Sequence, residues 1–160
     1  MLDANKLKAD ILSDMRVDLS DEFARNFERK AFFSDKWKPR AHDNPRGSLL
    51  MVSGAMRRST QGQIQGNGVR FFSSLPYTTV HNEGGKITVT QKMKRFFWAQ
   101  YLKTKDDVCK RMALMKVGKV IIIPQRKFIG DGPDTERIIR DVIKDNLQRY
   151  NLTLESILKP

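Results

Sequence analysis

The run from Ile121 to Gly130, IIIPQRKFIG, sets a boundary that any fold of this chain has to respect. Three consecutive isoleucines favour a buried, extended strand, because β-branched side chains pack well on a pleated surface. Pro124 has no N–H with which to continue a ladder, so the strand ends there, at an edge or terminus. A basic, aromatic turn closed by glycine follows. In it Arg126 can hold a backbone carbonyl or a carboxylate, and Phe128 can plug an apolar gap. The segment reads as a structural corner that couples the strand to the last helix.

Both sides of this corner carry periodic patterns. Leu7, Ile11, Leu12 and Met15 share one helical face, and Phe23, Phe27 and Ala31 share another. Ser20 before Asp21 and Glu22 reads as an N-cap, so two helices or one kinked helix are expected before Phe33. From Trp37 to Gly47 prolines at Pro39 and Pro45 replace periodicity, which predicts a loop anchored by Trp37. Leu49 to Met56 predicts a short helix broken at Gly54. The Asn67-Gly68 pair between extended segments predicts a hairpin, with Val69 to Ser73 returning and Phe71 or Phe72 on the core side.

Pro76 is placed to open a short helix holding Tyr77, Val80 and His81, which Gly84 and Gly85 stop. Ile87 to Val89 restarts a strand. Thr90 reads as the cap of a helix over Gln91 to Lys103, and Asp106 or Asp107 as the start of another through Met115. Gly118 ends that helix before the strand Val120 to Ile123. Pro133, Asp134 and Glu136 open the final helix, with acids at its positive end and an apolar face of Ile138, Ile139, Val142, Ile143 and Leu147. The order predicts an α+β fold. A small antiparallel sheet with a β-hairpin is packed by N-terminal and C-terminal helices and carries a helical insertion at about residues 90–116. Residues 1–150 are expected to form a single domain and 151–160 a C-terminal tail.

Charge singles out the insertion. The chain has a formal net charge of +12, and residues 86–130 hold 12 Lys and Arg against two acids, a net +10. That third is the candidate for contact with DNA or an acidic partner. One cysteine, Cys109, excludes an intrachain disulfide and supplies no zinc set, which fits a reducing compartment. No apolar run approaches the roughly 18 residues of a membrane span, and the first residues lack the apolar stretch of a signal peptide. A soluble chain, not exported by the general pathway, is the expectation.

Catalytic patterns are sparse. His81 with Glu83 offers an imidazole and a carboxylate, but the only other histidine, His42, lies in the proline-rich loop, and no further group has ligand spacing. A structural role, linking the short helix to the sheet, is the reading for His81. Ser53 and Ser59 have no motif that would activate a hydroxyl, and no Lys-Ser or Lys-Thr follows the glycines of GQIQGNG as a phosphate loop requires. The run Met93 to Leu102, MKRFFWAQYL, is different: Met93, Phe96, Phe97, Trp98, Tyr101 and Leu102 cover more of a helix than one core needs. The excess is either buried between two layers or forms a protein contact surface. Lys92, Lys94, Arg95, Lys103 and Lys105 around it are candidates for phosphate or an acidic partner, or simply a solvated basic face.

Several of these features resemble the phage virion morphogenesis family, the Mu-type tail-completion and head-to-tail joining proteins. Trp37 after a helical start is similar to the family's tryptophan loop, and Leu49 to Ser59, with Gly54, Met56 and Arg57, to its leucine and glycine segment. Tyr77, His81, Asn82, Gly84 and Gly85 resemble its Tyr-x-x-x-His-x-x-Gly element, and Ile123, Pro124, Arg126, Phe128 and Gly130 its Ile-Pro-x-Arg-x-Phe-x-Gly element. The likeness spans Phe23 to Leu147. Lys127 stands where members often have a small residue or proline, and the insertion is longer than a minimal member needs.

The resemblance implies a non-enzymatic subunit without cofactor or metal. Such subunits form a ring, commonly of six copies, at the neck or head-proximal end of the tail in virions assembled in the host cytoplasm. The ring meets other neck, connector or tail proteins and lets genomic DNA pass, with non-specific contact open to the basic segment. Trp37, Phe96, Phe97, Trp98 and Tyr101 are the candidate subunit interface. The rival reading is a sequence-tolerant nucleic-acid-binding module. A hydrolase would need an activated nucleophile, which the sequence does not offer.

Overall fold

The computed structural model describes residues 3–41 and 47–151. His42, Pro45 and the expected tail after Asn151 lie outside the described residues. Helix α1 (Ala4–Arg29) opens at Asp3, whose carboxylate accepts from the amides of Asn5 and Lys6, and closes where Lys30 turns left-handed. A side-chain acceptor at this position satisfies amides that have no partner within the helix. No second helix begins at Ser20. Its hydroxyl donates back to the Arg16 carbonyl inside α1, a local bond that competes with capping.

The left-handed Lys30 leads into a tight ribbon, β1 (Ala31–Phe32) against β2 (Asp35–Lys36). Two-residue strands leave no alternation to read in a sequence. Helix α2 (Ala55–Ser59) starts after Gly54 and not at Leu49. Leu50 and Gly54 lie at φ of 58° and 68°, and Ser48 bridges Met51, so this stretch is a turn that no right-handed helix can include.

The hairpin forms as expected from β3 (Thr60–Gln65) and β4 (Gly68–Ser73), but its turn is displaced by one residue. Gly66 and Asn67 make the turn while Gly68 pairs with Gln65. Gly66, at φ +60°, takes the first central position, as glycine does in a II′ turn. Phe71 is the core-side ring, edge-on to Phe23 with centroids 5.0 Å apart.

Helix α3 (Thr78–Glu83) begins two residues after Pro76, with the Thr78 hydroxyl donating to the Leu75 carbonyl at 2.6 Å. Strand β5 (Gly85–Thr88) pairs antiparallel with β6 (Val120–Ile123). Between them lie α4 (Gln91–Thr104) and α5 (Asp107–Leu114), begun by the predicted caps: Thr90 accepts from the Met93 amide and Asp106 from the Val108 amide. Helix α6 (Pro133–Arg149) opens on its proline with Asp134 and Glu136 in the first turn, as expected.

The fold is α+β, as the sequence predicts, with one correction. The strands do not join into one sheet but form three separate antiparallel ribbons. The isoleucine strand is therefore not buried as expected: Ile122 is 71% exposed and Val120 49%. A two-stranded ribbon turns every second side chain to one face, and nothing in the described chain covers that face here.

The body is built on α1, which lies along α6 and across the β3–β4 hairpin. Phe27, Trp37, Met56 and Phe128 form one buried cluster, and Leu19, Phe23 and Phe32 another; Ile129 packs against both.

Candidate functional site

Residues 124–130 have no regular structure, yet the corner they form is tightly bonded. Arg126, only 7% exposed, donates from Nε to the Lys38 carbonyl at 3.0 Å and from Nη2 to the Pro39 carbonyl at 3.1 Å. Of the two partners open to it in the sequence, it takes main-chain carbonyls. Burial and, less, the Arg40 cation pull its pKa down, but a guanidinium stays charged in proteins. The Arg126 amide donates to the His81 carbonyl at 2.8 Å, which joins the end of β6 to α3.

Phe128 is completely buried, 4.8 Å from the Phe27 ring, and Phe27 stands edge-on to Trp37 at 5.8 Å. Two asparagines serve the main chain around it. Asn82 Oδ1 accepts from the amides of Phe128 and Ile129 at 2.9 and 3.1 Å, and its Nδ2 donates to the Ile129 carbonyl. Asn26, with no exposed surface, donates to the Phe128 carbonyl at 3.1 Å and accepts from the Phe33 amide at 2.9 Å. Buried backbone groups need such partners wherever no ladder supplies them. Asn82 falls within the Tyr77–Gly85 element, whereas Asn26 was missed by sequence reasoning. Its one signal is a polar residue between Phe23 and Phe27 on the apolar face of α1.

Close approach explains the glycines. Gly84 has φ +77°, and a Cβ there would lie 3.0 Å from the Gln125 amide nitrogen; one on Gly85 would lie 2.8 Å from Val80 Cγ2. Gly130, at φ +132°, ends the corner before α6. Pro124 follows the last residue of β6 and ends its ladder. Tyr77, 44% exposed, lines an open cleft of about 300 Å³ with Arg40, His81 and Arg126. Burial first and Arg126 second lower the His81 pKa. Among the described residues no group of three His, Cys, Asp or Glu could hold a metal ion.

The insertion is an arm. Helix α4 packs chiefly on α5, and none of its residues is buried. Met93, Phe97 and Tyr101, four residues apart, are half-buried on the side toward α5. Arg95, Trp98 and Leu102 share the opposite face at i, i+3 and i+7. Trp98 is 45% exposed, Leu102 55% and Phe96 57%, and Leu114 on α5 reaches 66%. Lys92 and Lys103 flank that face, Lys94 is half-buried, and Lys105 and Lys110 hold their ammonium groups 5.6 and 5.5 Å from the Tyr101 ring centre.

Of the five residues expected at a subunit interface, four lie on this arm. Trp37 does not: it is 8% exposed, and its indole Nε1 donates to the Lys127 carbonyl at 2.6 Å. Its large ring fills the core beside Phe27 and Phe128, which leaves little surface for a neighbour.

A family model matches the chain over residues 7–148 and describes the phage virion morphogenesis family. The chain belongs to that family. No curated protein and no solved structure matches it. As a phage virion morphogenesis protein it has a structural role in building the virion. The match runs from within α1 to the last turn of α6 and takes in the corner and the arm. In this member of the family the corner holds the fold, and the arm carries exposed apolar and basic side chains. No helix among the described residues is long and apolar enough to cross a membrane.

Proposed function

We propose that this virion morphogenesis protein completes the tail or the head-to-tail neck by assembling as a ring around the DNA channel, with the α4–α5 arm as its main contact surface. The supporting observation is that α4 carries Phe96, Trp98 and Leu102 and buries none of them. Contiguous exposed apolar surface rimmed by charge is characteristic of a protein contact, and Trp, Phe and Met are enriched at interface cores. A ring needs a heterologous contact, in which one patch meets a different patch on the next copy. A surface carried on an arm that is largely free of its own body suits that geometry.

Imaging of particles assembled with the Trp98→Ala/Leu102→Ala variant tests this. Wild-type particles should show ring density for this protein between head and tail, and variant particles should lack it and accumulate unjoined heads and tails. Complete, infectious variant particles would refute the role of the arm. Purified virions devoid of the protein would refute the neck position.

One observation favours the nucleic-acid reading. Lys92, Lys94, Arg95, Lys103 and Lys105 enter none of the ion pairs among the described residues. Phosphate contact would make binding of duplex DNA by the isolated chain steeply salt-dependent, and weaker when Lys94, Arg95 and Lys103 are changed to Ala. Tight DNA binding by a strict monomer would support that module over the ring.

A further inference from the structure

A second surface on the body is the electrostatic opposite of the arm. Helices α1 and α6 enclose an open groove of about 460 Å³, lined by Asp18, Asp21, Asp141 and Asp145 with Ile138 and Val142 between them. Glu22, Arg25, Arg29 and Arg137 line it too, and these arginines are taken up by acids of the same two helices. Arg25 and Arg29 both pair with Glu22, Arg137 with Asp134 and Asp141, and Arg149 with Asp14. Asp18, Asp21 and Asp145 enter no ion pair among the described residues. Burial, and then Asp14, Asp21, Asp145 and Glu22, hold the Asp18 carboxyl above its usual range.

Acids alone do not select a ligand. The selection comes from the rest of the chain, whose outer α4 face combines Lys92 and Arg95 with Trp98 and Leu102. Neither α4 nor α5 makes substantial contact with α1 or α6 of its own chain. We infer that the outer face of the arm docks in the α1–α6 groove of a second copy, head to tail. Lys92 and Arg95 then face Asp18, Asp21 and Asp145, and the exposed Trp98 and Leu102 reach the half-buried Ile138. A joined pair keeps one free arm and one free groove, so the contact repeats from copy to copy and forms a ring where its rotation closes. The inference rests on the ring reading and names the two patches that reading requires.

Sedimentation velocity of the full chain, over a concentration series at low and physiological salt, provides the test. Three proteins are compared: wild type, the arm variant Lys92→Glu/Arg95→Glu, and the groove variant Asp18→Lys/Asp145→Lys. Wild type should associate, less so at higher salt. Each variant alone should associate roughly a hundredfold more weakly or worse, because like charges brought face to face cost several kcal/mol. An equimolar mixture of the two variants should regain assembly, since each arm again meets a groove of opposite sign. The neutral variants Lys92→Gln/Arg95→Gln and Asp145→Asn replace any reversal that alters the melting curve, and should weaken association in the same direction.

An arm variant that assembles like wild type, or a mixture that stays monomeric, would overturn the inference. Loss of duplex-DNA binding with unchanged assembly would do so too, and would assign the arm to phosphate. These outcomes leave the ring reading to the particle images: ring density in virions alongside a failed charge swap would mean that the ring closes through other surfaces.

Discussion

Replacing Asn26 by Leu keeps the side chain close in shape while removing both of its hydrogen bonds, and so isolates what this residue does. The Phe33 amide and the Phe128 carbonyl lose their partner together. Each main-chain group left without a bond in a buried place costs about 1–3 kcal/mol. Leucine returns about 0.5 kcal/mol in helix propensity and roughly 1 kcal/mol in apolar burial. The balance is a loss of about 0.5–4.5 kcal/mol, centred near 2.5 kcal/mol. With a urea m-value of about 2 kcal/mol/M, the unfolding midpoint should fall by about 1 M, and by no less than about 0.2 M, with the slope unchanged. Amide exchange at Phe33 should accelerate in the same variant, because that N–H has lost its acceptor. A midpoint shift below about 0.2 M at constant slope would refute the claim that Asn26 ties α1 to the corner.

Four further outcomes follow from the same geometry. Phe128→Ala should cost about 3–5 kcal/mol, because the ring is fully buried against Phe27; a loss under about 1 kcal/mol in a denaturant titration would move that ring out of the core. Arg126→Lys should lose about 1.5–3 kcal/mol, since one ammonium cannot reproduce the fork on the Lys38 and Pro39 carbonyls, and wild-type melting would remove that clamp. His81 has a pKa below its ordinary 6.5 in the folded chain, so its contribution to stability is complete above that value and is lost as pH falls below it; the loss between pH 7 and 5 should shrink in His81→Gln. Asp18 has the opposite sign: its raised pKa means a contribution fully present below 3.8 and lost as pH rises through the folded value. Asp18→Asn should therefore raise the melting temperature of the monomer at pH 7, with the gain vanishing near pH 3 to 4, and an unchanged melt at pH 7 would contradict it.

The sequence made the helices legible where their ends carry their own chemistry. Thr90, Asp106 and Pro133 each start a helix through a group that acts within one turn, and each starts where expected. Ser20 misled because the same hydroxyl serves equally well inside a helix, bonded to the carbonyl four residues back. The hairpin was visible and its register was not, since Gly66-Asn67-Gly68 offers two overlapping turns and the choice between them depends on which face of β4 must carry Phe71 to Phe23.

Burial was harder to read. The isoleucine run has the composition of a covered strand, but coverage depends on what lies beside β6, and only β5 does. Trp37 fills the core beside Phe27 and Phe128 and, at 8% exposure, leaves little of its indole for a neighbour, which its sequence position after a helix does not reveal. The corner was legible as a motif, while Asn26, on which part of it hangs, sits in a different helix about a hundred residues away in sequence.

The arm leaves and rejoins the body at a single place. Thr88 pairs with Val120, and just beyond them Val89 exchanges hydrogen bonds with Lys119 and Gly118. The stem is thus closed by a ladder that does not depend on what hangs from it. Everything between those bonds is in effect a cassette. It can be lengthened, shortened or exchanged for another chain's insertion while α1, α6 and the corner keep their packing. The proposed contact face of α4 and the core of the fold are then free to drift separately.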